Sequence, residues 1–354
     1  MAGLAESSPA VRMTFVTDSS PPMHARSTSE VFLRTLCCFG LGLALPPLGA
    51  APPAEPGSRN TLTIAGAEIR LNGEPIKIMG LRTSAALVSD GTTRELIDHL
   101  GQFRSYGVNT ISVYLMGSRF TDAKGYRPDA TLDPAYGARL GRIIDAADAR
   151  KIIVLVGCLY WGNSRAKEDL AHWTQADADR ALGNTVAWLR ERGYRNVFVD
   201  PDNEGMANAA MKWSIGEMIA AGHAADPLCI IAYNARPAPP GNADLAIHFS
   251  PRIPGKPYVE TEGSPPNSNY WGDYSKQKGV YNYSNVGVYT AEMKERQIAA
   301  ATRLIDGANG YILASTWLQA APPLGPNMDP GGDGTPGNPG IKWWLEYLRD
   351  RHGP

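Results

Sequence analysis

From residue 75 onward, short apolar runs of strand length alternate with segments of helix length, a pattern that commits the chain to parallel β/α construction. A parallel strand is covered on both faces, so it reads as a nearly continuous apolar stretch, and IIVLVGCL at residues 152–159 is the clearest example. Eight runs qualify as strands: residues 76–81, 109–115, 152–159, 197–200, 228–233, 243–249, 257–262 and 311–317. Helix-length segments lie between most of them, at residues 93–106, 134–149, 175–191, 208–224 and 291–307, and residues 341–349 supply a closing helix. In the first of these, Thr92 and Glu95 are spaced like a capping box, while Leu96, Leu100 and Phe103 form an apolar stripe. Residues 234–242 and 250–256 are rich in proline and too short for a standard helix, so two crossovers are expected to be irregular. The predicted fold class is α/β, a (β/α)₈ TIM barrel formed by a single domain over residues 58–354. A doubly wound sheet would require a glycine-rich nucleotide fingerprint, which the sequence lacks. Ahead of the barrel, TLTIAGAEIR at residues 61–70 and the turn signal Asn72-Gly73 predict a β-hairpin covering the barrel's lower end.

Residues 1–57 read as an extension. The first thirty are rich in Ser, Pro and Ala without sustained periodicity. Arg26 and Arg34 then precede an apolar stretch at residues 36–45 and small residues at 49–51, the layout of a cleaved export signal. That stretch is too short and too bounded by proline for stable membrane insertion, so a secreted or periplasmic protein is expected. Lysine and arginine total 34 against 35 acidic residues, which gives no basis for a nucleic-acid partner. Of the four cysteines, Cys37 and Cys38 fall in the signal, and Cys158 and Cys229 sit in apolar strand-like runs that favour buried free thiols. The six histidines form no metal-binding pattern, and no cofactor is implied.

Chemistry in such a barrel gathers where strands run into their following loops. The fourth strand ends in Asp200, Pro201, Asp202, Asn203 and Glu204, and the seventh in Glu260, Thr261 and Glu262. Carboxylates at an apolar barrel's mouth are costly unless organised for a purpose. Two of them about 5 Å apart suit glycosidic cleavage with retention, one moving the proton and the other attacking the sugar. Glu204 and Glu262 are the preferred pair. Glu260, two residues from Glu262, is its competitor as nucleophile or else a buried hydrogen-bonding partner.

At these residues the sequence resembles the cellulase-like retaining glycoside hydrolases of the (β/α)₈ superfamily. The resemblance rests on Asn203-Glu204 closing strand four and Glu262-Gly263 closing strand seven, with His248 near the end of strand six and Trp317 at the end of strand eight. It implies Glu204 as acid/base, Glu262 as nucleophile, His248 as a substrate-facing residue and Trp317 as a sugar platform. It spans roughly residues 71–317 as short dispersed motifs. Gly205 stands where the group usually carries proline, and the group's arginine near the second strand has no clean counterpart, leaving Arg82 and Arg119 as candidates. Asn203 is a candidate ligand for a sugar 2-hydroxyl, with chain turning as its alternative role. Tyr233, Asn234, Trp161 and Trp271 place rings and an amide in strand-end loops suited to the apolar and hydroxylated faces of sugars.

The expected function is therefore retaining hydrolysis of an extracellular oligo- or polysaccharide. The rival is a catalytically inactive glycan-binding barrel, which predicts saturable binding without product release. An esterase or metallohydrolase is disfavoured by the absence of a GxSxG elbow and of a histidine-rich metal set.

Overall fold

The computed structural model describes residues 57–117, 122–162, 164–261, 291–314 and 342–353. The export-signal reading, Arg119, Glu262, Trp271 and Trp317 lie outside these residues. An antiparallel sheet of β1 (Leu62–Ala65), β2 (Glu68–Leu71) and β3 (Glu74–Pro75) comes first, with Asn72 and Gly73 both at positive φ in the second turn. Eight parallel strands follow: β4 (Ile78–Arg82), β5 (Thr110–Tyr114), β6 (Ile153–Leu159), β7 (Val197–Asp202), β8 (Ile230–Tyr233), β9 (Leu245–Ile247), β10 (Tyr258–Val259) and β11 (Gly310–Ala314). They lie in chain order around the ring, with β11 paired to β4. Closure between β10 and β11 falls on one residue, because Glu260 N donates to Gly310 O at 3.2 Å and Ile312 N donates to Glu260 O at 2.7 Å. The (β/α)₈ barrel expected from the apolar alternation is the fold observed.

Seven helices are described: α1 (Asp90–Ser105), α2 (Pro134–Asp148), α3 (Gln175–Glu191), α4 (Met206–Met211), α5 (Ile215–Ala225), α6 (Ala291–Gly307) and α7 (Lys342–His352). The α1 capping box is one turn earlier than the spacing suggested: Ser89 Oγ accepts from Thr92 N at 3.1 Å, and Thr92 Oγ1 accepts from Ser89 N at 3.0 Å. Thr92 is the third helical residue rather than the cap, since its side chain is buried and also bonds Ala86 O at 3.2 Å. The single helix expected over residues 208–224 is two. Lys212 turns left-handed at φ 63°, and Ser214 recaps the chain by accepting from Glu217 N at 3.2 Å. Helices are missing where the chain is richest in proline: between β8 and β9, and between β9 and β10.

Two apolar clusters show which way each strand residue faces. Ile78, Ile153, Leu155, Phe198, Ile230, Ala232, Leu245, Ile247, Val259 and Ile312 pack with Leu62 and Ile69 of the hairpin, filling the barrel interior from below. Leu81, Ile111, Val113, Val154, Val156, Val199, Ile231 and Leu313 belong to the larger cluster between strands and helices. Strand alternation carries this inward set upward to Arg82, Tyr114, Gly157 and Asp200, so the interior turns polar at its upper end. Cys158 and Cys229 are buried free thiols, and no helix among the described residues is long and apolar enough to cross a membrane.

Candidate active site

The C-terminal end of β7 builds the centre of the site. After Asp202 the chain makes one tight turn through Asn203, Glu204 and Gly205, with Glu204 at φ 57°, ψ 16° and Gly205 at φ 64°, ψ 30°. A left-handed glutamate is strained by about 1–3 kcal/mol, and such strain persists where the surroundings over-determine it. Gly205 also accounts for the departure from the Asn-Glu-Pro pattern. Proline is confined to negative φ, and any Cβ at Gly205 would come within 2.6 Å of Ala235 Cβ. Below the turn, Asp202 accepts from Ala207 N and Asn208 N, each at 2.8 Å, anchoring the start of α4. Burial nonetheless pushes the Asp202 carboxyl up to about 7, against the opposing pull of those amides.

Asn203 is fully buried and held from two sides. Its Oδ1 accepts from Arg82 Nη2 at 3.0 Å and from the Tyr114 hydroxyl at 3.1 Å. These donors fix which end of the amide faces them, and Nδ2 has no hydrogen-bond partner among the described residues. Arg82 itself donates Nε to Ser84 Oγ at 3.2 Å and lies 4.6 Å from the Tyr114 ring centre and 5.7 Å from that of Tyr160. Burial pushes the Tyr114 phenol well up, so it stays protonated and remains a donor. Space for its ring comes from Gly157, where a Cβ would sit 2.3 Å from two ring carbons. Arg82, at the end of the first barrel strand, thus takes the place beside Asn203 that the sequence left open between Arg82 and Arg119.

Asp200 lies inward on β7, in register with Gly157 and buried. Its Oδ2 accepts from Asn234 Nδ2 at 2.9 Å, while Asp200 Oδ1 and Asn234 Oδ1 have no partner among the described residues. Burial pushes the Asp200 carboxyl up to about 6, opposed by the Asn234 amide and by the charges of Arg82 and His248.

At the other candidate strand end, His248 Nδ1 and Glu260 Oε1 are 2.5 Å apart, both side chains buried. Thr261 N donates to Glu260 Oε1 at 3.0 Å, and the Tyr258 hydroxyl lies 2.7 Å from His248 O and 3.1 Å from Glu260 Oε2. Burial would raise the Glu260 carboxyl, but the His248 charge and these hydrogen bonds outweigh it and hold the group below its ordinary value. Val259 packs in the interior cluster, so strand alternation turns Glu260 to the opposite face. Both carboxylate oxygens of Glu260 are occupied by protein partners, as a supporting residue requires.

Among the aromatic candidates, Trp161 packs in a cluster with Trp213 and Trp173, ring centres 4.7 and 6.5 Å away, and is 4% exposed. Tyr233 faces the strand–helix layer and is likewise buried. The structure therefore gathers Arg82, Asn203, Glu204, Asn234, His248 and Glu260 around the upper barrel, while Trp161 and Tyr233 pack within the core. Tyr114 was not identified from sequence. Its signal was the run of inward residues Thr110, Ser112 and Tyr114, which ends polar where the other faces of β5 stay apolar. No group of three His, Cys, Asp or Glu residues able to hold a metal ion occurs among the described residues.

No protein-family model matches the sequence, and neither does any curated protein. Solved structures do match in fold. A β-glucanase from Saccharophagus degradans in complex with cellotetraose is 13% identical with a TM-score of 0.54, over 87% of this chain and 98% of that one. A glycoside hydrolase family 5 protein from Bacteroides vulgatus is 12% identical with a TM-score of 0.52, over 81% of this chain and 68% of that one. An endo-1,4-β-mannanase from Eisenia fetida is 15% identical with a TM-score of 0.50, over 84% and 96%. At these identities the likeness establishes a shared barrel fold.

Proposed function

We propose that the protein is a retaining glycoside hydrolase in which Glu204 is the acid/base and Glu262 the nucleophile. The observation that carries this reading is the turn at the end of β7. It holds Glu204 in a strained left-handed conformation beside an Asn203 amide whose oxygen is locked by Arg82 and Tyr114. Locking Oδ1 leaves Nδ2 as the donor, the polarity needed to bind a sugar 2-hydroxyl and to strengthen that bond in the transition state.

In the first step a Glu262 oxygen attacks the anomeric carbon as the bond to the leaving oxygen breaks, and protonated Glu204 gives its proton to that oxygen. In the second, Glu204 takes a proton from water as the water oxygen attacks the same carbon, releasing Glu262 and restoring both groups. Two inversions give retention. Glu260 supports the seventh strand end through His248 rather than serving as nucleophile, because its oxygens are already occupied. No cofactor takes part. The export signal read in residues 1–57 places the substrate outside the cytoplasm.

Barrels of the same fold that are named as a β-glucanase and a β-mannanase make β-1,4-linked gluco- and manno-oligosaccharides the first substrates to test. The test is a digestion screen of oligo- and polysaccharides with product configuration followed by proton NMR. Glu204→Gln is expected to lower turnover by about 10²–10⁴-fold, and Glu262→Ala to abolish it. Full activity in Glu204→Gln, or an inverted product, would overturn the reading.

A further inference from the structure

The Asp200–Asn234 pair sits one layer inside the turn that carries Glu204 and is not a member of the proposed acid/base and nucleophile pair. It is a built feature. Asp200 is wholly buried, projects inward from β7, and is bonded through one oxygen to a buried amide from the strand next to it. Its register neighbour on β6 is Gly157, whose missing side chain admits the Tyr114 ring, and Arg82 stacks on that same ring. Arg82 in turn holds Asn203. A buried guanidinium cannot shed its proton, so it requires negative charge nearby.

We propose that Asp200, held by Asn234, is the counter-charge that keeps Arg82 in place under Asn203, making Asp200 a positioning residue whose ionisation hydrolysis requires. The inference rests on the glycosidase reading for its consequence but not for its geometry. The groups acting on Asp200 come from several strands: Arg82 from β4, His248 beyond β9, and Asp202 on β7 itself. Tyr114 of β5 and the Cys158 thiol of β6 also feel its charge, and both stay neutral because burial raises them. Arg82 is thus the permanent cation in this set. When Asp200 takes up a proton it cannot balance Arg82, and the guanidinium loses part of what fixes it against Asn203 Oδ1.

The working range follows from the sign. Asp200 is ionised above about 6, where burial has moved it, and protonated below. The acid side of the kcat/KM profile is therefore expected to carry a group titrating near that value. In Asp200→Asn this limb is expected to disappear from its place and the plateau to fall. A merely structural role would lower the rate at all pH values and leave the limb where it was. Asn234→Ala keeps the carboxylate and removes a donor to its charged form, so the limb is expected to move up by about one pH unit. An acid limb unmoved in both variants overturns the proposal.

Nitrogen-15 NMR of the full chain supplies a readout that needs no substrate. The Arg82 guanidinium signals are expected to titrate with the same midpoint as the Asp200 carboxyl carbon, and both to move together in Asn234→Ala. Arg82 signals that ignore the Asp200 midpoint overturn the proposal. If no glycan is cleaved, the glycosidase reading fails while this titration still decides whether Asp200 balances Arg82.

Discussion

Two residues at the β7 turn show how much a single backbone angle can decide. Gly205 combines φ 64° with a neighbour that leaves no room for a Cβ, so each defect of a substitution compounds the other. Gly205→Ala is expected to destabilise the fold by about 1–3 kcal/mol from the left-handed angle alone, with crowding against Ala235 added, read as a lower urea midpoint at unchanged m-value. Gly205→Pro, which would restore the dipeptide pattern common in related barrels, is expected to be worse because its ring excludes positive φ altogether. An increase in stability on either substitution would mean that the turn is not built as described. Asn203 and Glu204 were legible in sequence because an amide and an acid at a strand end have few structural reasons to be there. The geometry that Gly205 imposes was not legible, because a glycine after a strand is equally at home in an ordinary loop. Tyr114 escaped notice for a similar reason: a tyrosine ending an apolar strand reads as core until Gly157, 43 residues later, is known to lie under its ring.

At the scale of elements, the strands were easier to read than their ends. Burial on both faces makes β6 continuously apolar, and β4 through β8 were found within a few residues of their observed bounds. The expected strands at residues 243–249 and 257–262 shrink to Leu245–Ile247 and Tyr258–Val259, because each leaves regular pairing soon after. His248 breaks the first by turning to φ 47°, which brings its ring to Glu260. That pair stands in for ladder hydrogen bonds which so short a strand does not make. Glu260→Gln removes a charge-assisted bond at the barrel's closing seam and is expected to cost about 2–3 kcal/mol. Its sign with pH is also determined. The Glu260 carboxyl is held below its ordinary value, so its contribution is complete above the unfolded value and is lost as pH falls through the folded one. Thermal melts of the parent should weaken on the acid side, and those of Glu260→Gln should lose that part of the dependence. Parallel melting curves at every pH would show that the pair contributes no ionic stability.

For the whole molecule, the barrel's two ends are built for different purposes, and pH separates them. The lower end is apolar, plugged by Leu62 and Ile69 of the hairpin. The upper end buries Asp200 and Asp202, whose carboxyls burial pushes up to about 6 and about 7. A carboxyl with a raised folded value binds its proton more tightly in the native state than in the unfolded chain, so stability falls as pH rises across the interval between the two values. These two aspartates therefore oppose Glu260. The fold is expected to be most stable in mildly acid solution and to lose stability steadily as pH rises from the ordinary aspartate value of 3.8 to about 7. Hydrolysis, which the charge on Asp200 is proposed to support, should improve over the upper part of that same interval. Activity and stability would then run in opposite directions with pH, as expected of a site that keeps ionised groups where an apolar layer would be more stable. Asp202→Asn is the discriminating variant. Its amide can still accept one of the bonds from α4 while carrying no charge, so the fall in melting temperature between pH 4 and pH 7 should flatten. A parent whose melting temperature rises steadily across that range would contradict the assignment of both aspartates as carboxyls raised by burial.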